Sequence, residues 1–362
     1  MKRVIFSLLP LLLIILLAET FFRVVPVHKD SGRTLPGFVV PDKDLIWRLR
    51  PRSSGPLATN ELGFRDTHFN RAADKKILLL GDSVSWGDGM EDVRQVYPYL
   101  LEQRLNQEGK ETYEVINSAV PGYSTFQQLR YLQLKGMDLN PDMIILQFCL
   151  NDVVERYTSV AAYGGDNVFL GVDTRQAIQG WYGWFIRNSR AFEALIRLLQ
   201  RLARDRQEYD VNKMTTDRLS PELVEAWDLT LSEIKGIRDI AFTHKIPFLV
   251  VIAPYRFQLR QPRTANQAQE ILLEYADLHN IHMVDLLPYF VSFCRKNTNV
   301  PLFHDANHFS THGHALAAKT LSKPVLELIA GPSPGEHKSG KTPGGISRRQ
   351  PCPPEQTKPA SA

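Results

Sequence analysis

A serine, a histidine and a carboxylate stand far apart in this chain, each inside a short stretch of turn-forming residues. Ser83 lies in Gly81-Asp82-Ser83-Val84-Ser85-Trp86-Gly87-Asp88-Gly89, directly after an apolar run. A serine just past a strand's carboxyl end faces a cleft, and its own N–H, opening a helix or turn, can stabilise an oxyanion. Gly-Asp-Ser is equally good turn chemistry and is not specific by itself. Gly122, in Val120-Pro121-Gly122-Tyr123-Ser124, lets backbone approach a substrate closely or simply punctuates a turn. Asn151-Asp152 closes another apolar run. An amide there donates to developing negative charge or caps a helix. Asp305 and His308, three apart, are expected on one side of a helical turn. The carboxylate then holds the imidazole Nδ1–H and leaves Nε2 to take a proton from Ser83. A rival pattern is a metal cluster of Asp305 with His304, His308 and His312, spaced four apart. That cluster leaves Ser83 and Asn151 unexplained, so no metal and no other cofactor is expected, and His304, His312 and His314 are read as structural or rim residues.

The elements that must carry these residues follow from hydrophobic pattern. Short apolar runs at 76–80, 113–116, 143–148, 247–252 and 282–286 read as buried strands. Between them, helical spacing covers 96–107, 126–134, 222–244 and 265–279. Strands alternating with helices call for a parallel sheet covered on both faces, with ligands at the carboxyl ends of its strands. All the polar residues named above fall at that end.

In order along the chain, Gly81-Asp82-Ser83, Gly122, Asn151-Asp152 and Asp305-x-x-His308 resemble the blocks of the SGNH (GDSL-type) hydrolases, over roughly residues 74–325. The resemblance implies a flavodoxin-like α/β fold, three layers with a five-stranded parallel sheet, and acyl-ester hydrolysis without a metal. It assigns Ser83 as nucleophile, His308 as general base and acid, Asp305 as its orienter, and the Ser83 N–H, Gly122 N–H and Asn151 side chain as oxyanion hole. Asn60-Glu61-Leu62-Gly63-Phe64-Arg65-Asp66 resembles a segment preceding the first block in membrane-anchored members. One position departs: many members have glycine where this chain has Cys149, whose side chain either crowds the strand end or points into the core.

The remainder of the chain bears on location. Met1-Lys2-Arg3 precedes an uncharged, largely apolar stretch at 4–18, followed by Glu19. Positive charge before such a run marks export, and residues 1–25 are expected to be a signal-anchor or a cleaved signal peptide. The protein is then membrane-anchored and extracytoplasmic, or secreted. Five prolines make residues 26–73 an extended stalk or wrapping segment, ahead of a hydrolase domain at 74–330. A helical insertion at about 153–220 carries Trp181, Tyr182, Trp184 and Phe185, and an apolar stripe of Phe192, Leu195, Ile196, Leu199 and Leu202. Residues 331–362 lack large apolar side chains and are expected to be disordered. Five Lys/Arg against two Glu there hold +3 of the net +4, so the rest is nearly neutral and nucleic acid is not an expected partner. Three cysteines are too few for a disulfide framework; a Cys149–Cys294 bridge stays open. The expected substrate is an ester, a glycan O-acyl group or a lipid. O-acyl transfer to an envelope glycan by the same triad, and a non-catalytic glycan-binding module, are the alternatives. Oligomeric state is not legible.

Overall fold

The computed structural model describes residues 2–25, 39–55, 57–67, 69–154, 219–260 and 267–331, with short pieces between 184 and 214. Most of the expected insertion, residues 26–38 of the expected stalk and residues 332–362 of the tail lie outside the described residues. Two compact units divide the chain: 1–48 with 155–209, and 49–154 with 210–362.

The larger unit is built on five strands: β3 (Lys75–Leu80), β4 (Tyr113–Asn117), β5 (Met143–Cys149), β6 (Phe248–Ala253) and β7 (His282–Asp285). They pair in parallel in the order β4-β3-β5-β6-β7. Ile77 to Leu80 of β3, and all of β5 and β6, are buried. Strands covered on both faces read as unbroken apolar runs rather than alternation, which is why they are visible in the sequence. Helices α2 (Ser83–Trp86), α3 (Tyr97–Glu108), α4 (Thr125–Leu134), α5 (Pro221–Thr243), α6 (Gln267–His279), α7 (Leu287–Lys296) and α8 (Thr311–Ile329) complete the unit. Helix α3 packs on α8 and α7 on α8, while α4 packs on α5 and α5 on α6. The result is the expected α/β fold, a five-stranded parallel sheet flanked by helices. The chain leaves β3 towards β4, then returns past it to β5, so β3 sits at the switch point where open parallel sheets bind ligands.

The outer strand β4 needs its free edge covered, and side chains do this at every second residue. Asn106 Oδ1 accepts from Tyr113 N (2.9 Å), Glu102 Oε2 from Val115 N (2.9 Å) and Asp66 Oδ2 from Asn117 N (2.8 Å). Three acceptors at strand period stand in for a sixth strand, which removes the template for edge-to-edge pairing. Burial pushes the Asp66 carboxyl up to about 8 and that of Glu102 up to about 7, against the hydrogen bonds they accept.

The smaller unit holds α1 (Lys2–Val24) and most of a two-stranded pairing of β1 (Val39–Asp42) with β2 (Ile46–Leu49). That pairing lies within the expected stalk or wrapping segment. Asp42 Oδ1 accepts from Asp44 N and Leu45 N, closing a tight turn that the flanking prolines hide from a pattern reading. Glu19 of α1 accepts from Ser189 Oγ (2.8 Å), Arg190 N (3.1 Å) and Ala191 N (3.0 Å), and pairs with Arg23. Among the described residues no helix is long and apolar enough to cross a membrane, so the structure does not show the expected anchor.

Candidate active site

The loop that carries Ser83 begins where β3 ends. Gly81 is required by space: a Cβ there would lie 2.6 Å from Ser85 Oγ and 2.8 Å from Gln147 Oε1. Asp82 caps the short helix α2 by accepting from Val84 N (2.9 Å), which places Ser83 at its first position. From β5 below, Gln147 Oε1 accepts from Asp82 N (3.2 Å) and Ser85 Oγ (2.8 Å). Asn151 Nδ2 donates to Asp82 Oδ2 (2.8 Å). Burial pushes the Asp82 carboxyl up, in opposition to these hydrogen bonds.

His308 reaches this loop from across 225 residues of chain: its Nε2 lies 2.9 Å from Ser83 Oγ. On the other side of the ring, Nδ1 lies 2.6 Å from Asp305 Oδ2. The spacing of three does not reflect the helical turn expected from the sequence pattern. Asp305 Oδ1 accepts from Asn307 N (3.0 Å) and His308 N (2.9 Å), so a carboxylate-capped bend orients the ring, closed by His304 N donating to His308 O. Burial works against its charge, yet the hydrogen bonds from the His308 ring and backbone hold Asp305 well below the usual carboxylate range. Burial of His308 would lower its affinity for a proton. The Asp305 hydrogen bond and the charges of Asp88, Asp305 and Asp82 prevail, and the net shift is upward.

Ser83, His308 and Asp305 are therefore in contact, and Asn151 joins them through Asp82. Gly122 is not among these hydrogen bonds. It lies in the buried turn after β4, with φ +77°, and that loop is tied to the Ser83 loop by Val120 N donating to Gly81 O (3.2 Å). Asp152 fastens β5 to α4, accepting from Cys149 N (2.8 Å) and Thr125 Oγ1 (3.2 Å). Cys149 keeps a fully buried thiol outside any disulfide, so the Cys149–Cys294 bridge is not formed. His314 is structural: buried, pushed down to about 3 by that burial, with Nδ1 accepting from Tyr97 N (3.2 Å). The ligand atoms of His304, Asp305 and His308 lie within 4.8 Å of one another, and His312 is not part of that group.

The model of the GDSL-like lipase/acylhydrolase family matches residues 79–316, which takes in every one of these residues. The chain belongs to this family. It is a GDSL-type carboxylic ester hydrolase. No curated protein matches it in sequence. Among solved structures it is similar to the acetyl xylan esterase AlAXEase (15% identity, TM-score 0.42, 69% of this chain and 99% of that one). A catalytic mutant of an acetylxylan esterase from Geobacillus stearothermophilus is similar at 14% identity and TM-score 0.44, covering 71% of this chain and 96% of that one. A lipase/acylhydrolase from Enterococcus faecalis is similar at 16% identity and TM-score 0.40, covering 70% and 95%.

Two residues of this acylhydrolase bear on the site without standing out in its sequence. Asp88, five residues after the serine, places Oδ2 3.6 Å from His308 Nε2. Arg65 is buried and donates to the carbonyls of Trp86 (3.1 Å), Gly87 (2.7 Å), Met90 and Glu91 (3.3 Å), while stacking 4.6 Å from the Trp86 ring centroid. It is presented by a loop folded on Asn60, whose Oδ1 accepts from Leu62 N and Phe64 N. The Asn60–Asp66 segment thus braces two loops of the site, through Arg65 at the Ser83 loop and Asp66 at the end of β4. The signal is present in the sequence as a resemblance; its role needs the fold.

Proposed function

We propose that this acylhydrolase cleaves its ester through Ser83, His308 and Asp305, with a covalent acyl-enzyme on Ser83. The observation that carries the reading is the continuous line from Ser83 Oγ to His308 Nε2 (2.9 Å) and from His308 Nδ1 to Asp305 (2.6 Å). His308 Nε2 takes the hydroxyl proton as Oγ attacks the ester carbonyl, and Asp305 stabilises the imidazolium that forms. The Ser83 N–H, the Gly122 N–H and the Asn151 side chain are the donors proposed for the oxyanion. The imidazolium then gives its proton to the leaving alcohol, and water, activated by the same ring, releases the acid.

We infer further that the substrate lies outside the cytoplasm and is an O-acyl group of an envelope glycan or a lipid ester. Lys2 and Arg3 ahead of the apolar stretch at 4–18 support export, with the segment kept as an anchor or removed. Hydrolysis of p-nitrophenyl esters of rising chain length, beside acetylated glycans, tests the substrate class; product that forms only with a glycan acceptor would replace hydrolysis by acyl transfer. Ser83→Ala and His308→Ala test the triad. Each should lower kcat by ~10⁴ or more while circular dichroism stays unchanged, and near-normal turnover in either folded variant would overturn the assignment.

A further inference from the structure

His304 sits beside the triad with no part in the chemistry above, and its ring is held in one orientation. Its Nε2 lies 2.7 Å from the carbonyl oxygen of Asp88. A carbonyl only accepts, so Nε2 carries the hydrogen and, in the neutral ring, Nδ1 carries the lone pair. Gly89, at φ +83°, leaves the space: a Cβ there would lie 2.0 Å from His304 Nε2. The ring stacks on that of His308, with centroids 5.6 Å apart and planes 16° from parallel. The lone pair at Nδ1 stands 3.9 Å from Asp305 Oδ2, and His308 Nδ1 lies 2.6 Å from that same oxygen. This is a histidine whose second nitrogen is anchored by a backbone carbonyl, as metal-ligating histidines are.

We propose that His304, Asp305 and His308 form an inhibitory site for a borderline transition-metal ion, Zn²⁺ above all, bound through His304 Nδ1, Asp305 Oδ2 and His308 Nδ1. Zinc takes imidazole and carboxylate at ~2.0–2.2 Å, so two ligands of a tetrahedral ion stand about 3.4 Å apart. Closing the 3.9 Å gap between His304 Nδ1 and Asp305 Oδ2 needs a movement of roughly half an ångström by a side chain 35% exposed, and the 2.6 Å pair of His308 Nδ1 with Asp305 Oδ2 must open by about 0.8 Å as the ion takes the place of their hydrogen bond. Inhibition follows from proton placement and rests on the triad reading above. A neutral imidazole carries one hydrogen. In the working enzyme it is on Nδ1, facing Asp305, and Nε2 is free to take the Ser83 proton. With zinc on Nδ1, that hydrogen moves to Nε2, so the ring no longer accepts and Asp305 no longer orients it. No proton is released overall, no bond to Ser83 forms, and removal of the ion restores the enzyme.

The test uses the full chain, freed of metal with chelator, and ZnCl₂ as probe. Isothermal titration calorimetry should give one site in the wild type, and p-nitrophenyl acetate hydrolysis should fall over the same zinc range and return on adding chelator. His304→Ala should keep the zinc-free rate and require about tenfold or more zinc for both binding and inhibition, since losing a direct ligand costs at least as much as losing a group that only orients one. His304→Gln should behave likewise, which guards against a folding defect in one variant. Equal zinc sensitivity in wild type and both variants would overturn the proposal and leave the triad standing. A site lost with His304 whose occupancy leaves hydrolysis untouched would refute inhibition. Normal turnover in Ser83→Ala would instead remove the triad reading, with the calorimetric site unaffected.

Discussion

Replacing Arg65 by methionine keeps an unbranched apolar stem and deletes the guanidinium that spans the carbonyls of Trp86, Gly87, Met90 and Glu91. The bonds to Trp86, Gly87 and Met90 are buried, whereas the one to Glu91 is partly open to solvent. A buried carbonyl left without its donor costs ~1–3 kcal/mol, and the lost stacking on Trp86 adds about 1 kcal/mol. Burial already lowers the Arg65 pKa, with Asp88 and Asp92 pulling the other way, so deleting the charge returns some desolvation cost. Gly87 O keeps Met90 N as a donor, so taking the low end for the Trp86 and Met90 carbonyls and letting that return cancel the stacking leaves a net loss of about 2 kcal/mol. Urea unfolding followed by tryptophan fluorescence measures it. The same deletion loosens the loop that leads from Ser83 past Asp88 to Gly89, so kcat should fall by about tenfold or more through misplacement alone. Arg65→Lys is the discriminating companion. A compact ammonium keeps the charge but cannot reach four carbonyls in a fork, so it should recover less than half the stability. A loss below about 1 kcal/mol with unchanged kcat, or full rescue by lysine, would refute the account of Arg65 as a multidentate clamp.

Other outcomes follow from the same geometry. The Asp66 carboxyl titrates near 8 in the folded protein against ~3.9 unfolded, so the native state holds the proton more tightly. Its contribution is full at low pH and is lost as pH rises through about 8, with Glu102 acting in the same direction near 7. Differential scanning fluorimetry should therefore show Tm falling from pH 6 to pH 9, and Asp66→Asn should flatten that fall while still accepting from Asn117 N. An identical slope in the variant would assign the pH dependence elsewhere. Gly89→Ala forces an L-residue to φ +83° and drives a methyl group into His304, so it should lower Tm by several degrees. It should also abolish the dependence of zinc inhibition on His304; an unchanged Tm would argue against both effects.

What is legible in the sequence is local. The runs in β3, β5 and β6 are apolar because both faces of a parallel sheet are covered, so the central strands can be placed along the chain without coordinates. The Gly81-Asp82-Ser83 turn, the Asp305-x-x-His308 spacing and the resemblance they carry point to one end of that sheet. The reading fails where an element's pattern is broken by something non-periodic. Prolines hide the turn at Asp42 that joins β1 to β2. A spacing of three suggests a helical turn at Asp305, where the carboxylate in fact caps a bend.

Which side chains support the serine is decided only by tertiary structure. Gln147 sits mid-strand in an apolar run and gives no signal of its task until β5 lies beside β3 and brings its Oε1 to Asp82 N. Arg65 belongs to a segment that the sequence marks only by resemblance, and its task shows when its loop folds over the carbonyls of residues 86 to 91. Glu102, Asn106 and Asp66 acquire a role only because β4 ends the sheet. Periodicity and turn chemistry act between residues a few positions apart and so are written in the sequence itself. The partners of a buried polar group are fixed by which distant segments the sheet order sets side by side, and one chain read by itself holds no record of that.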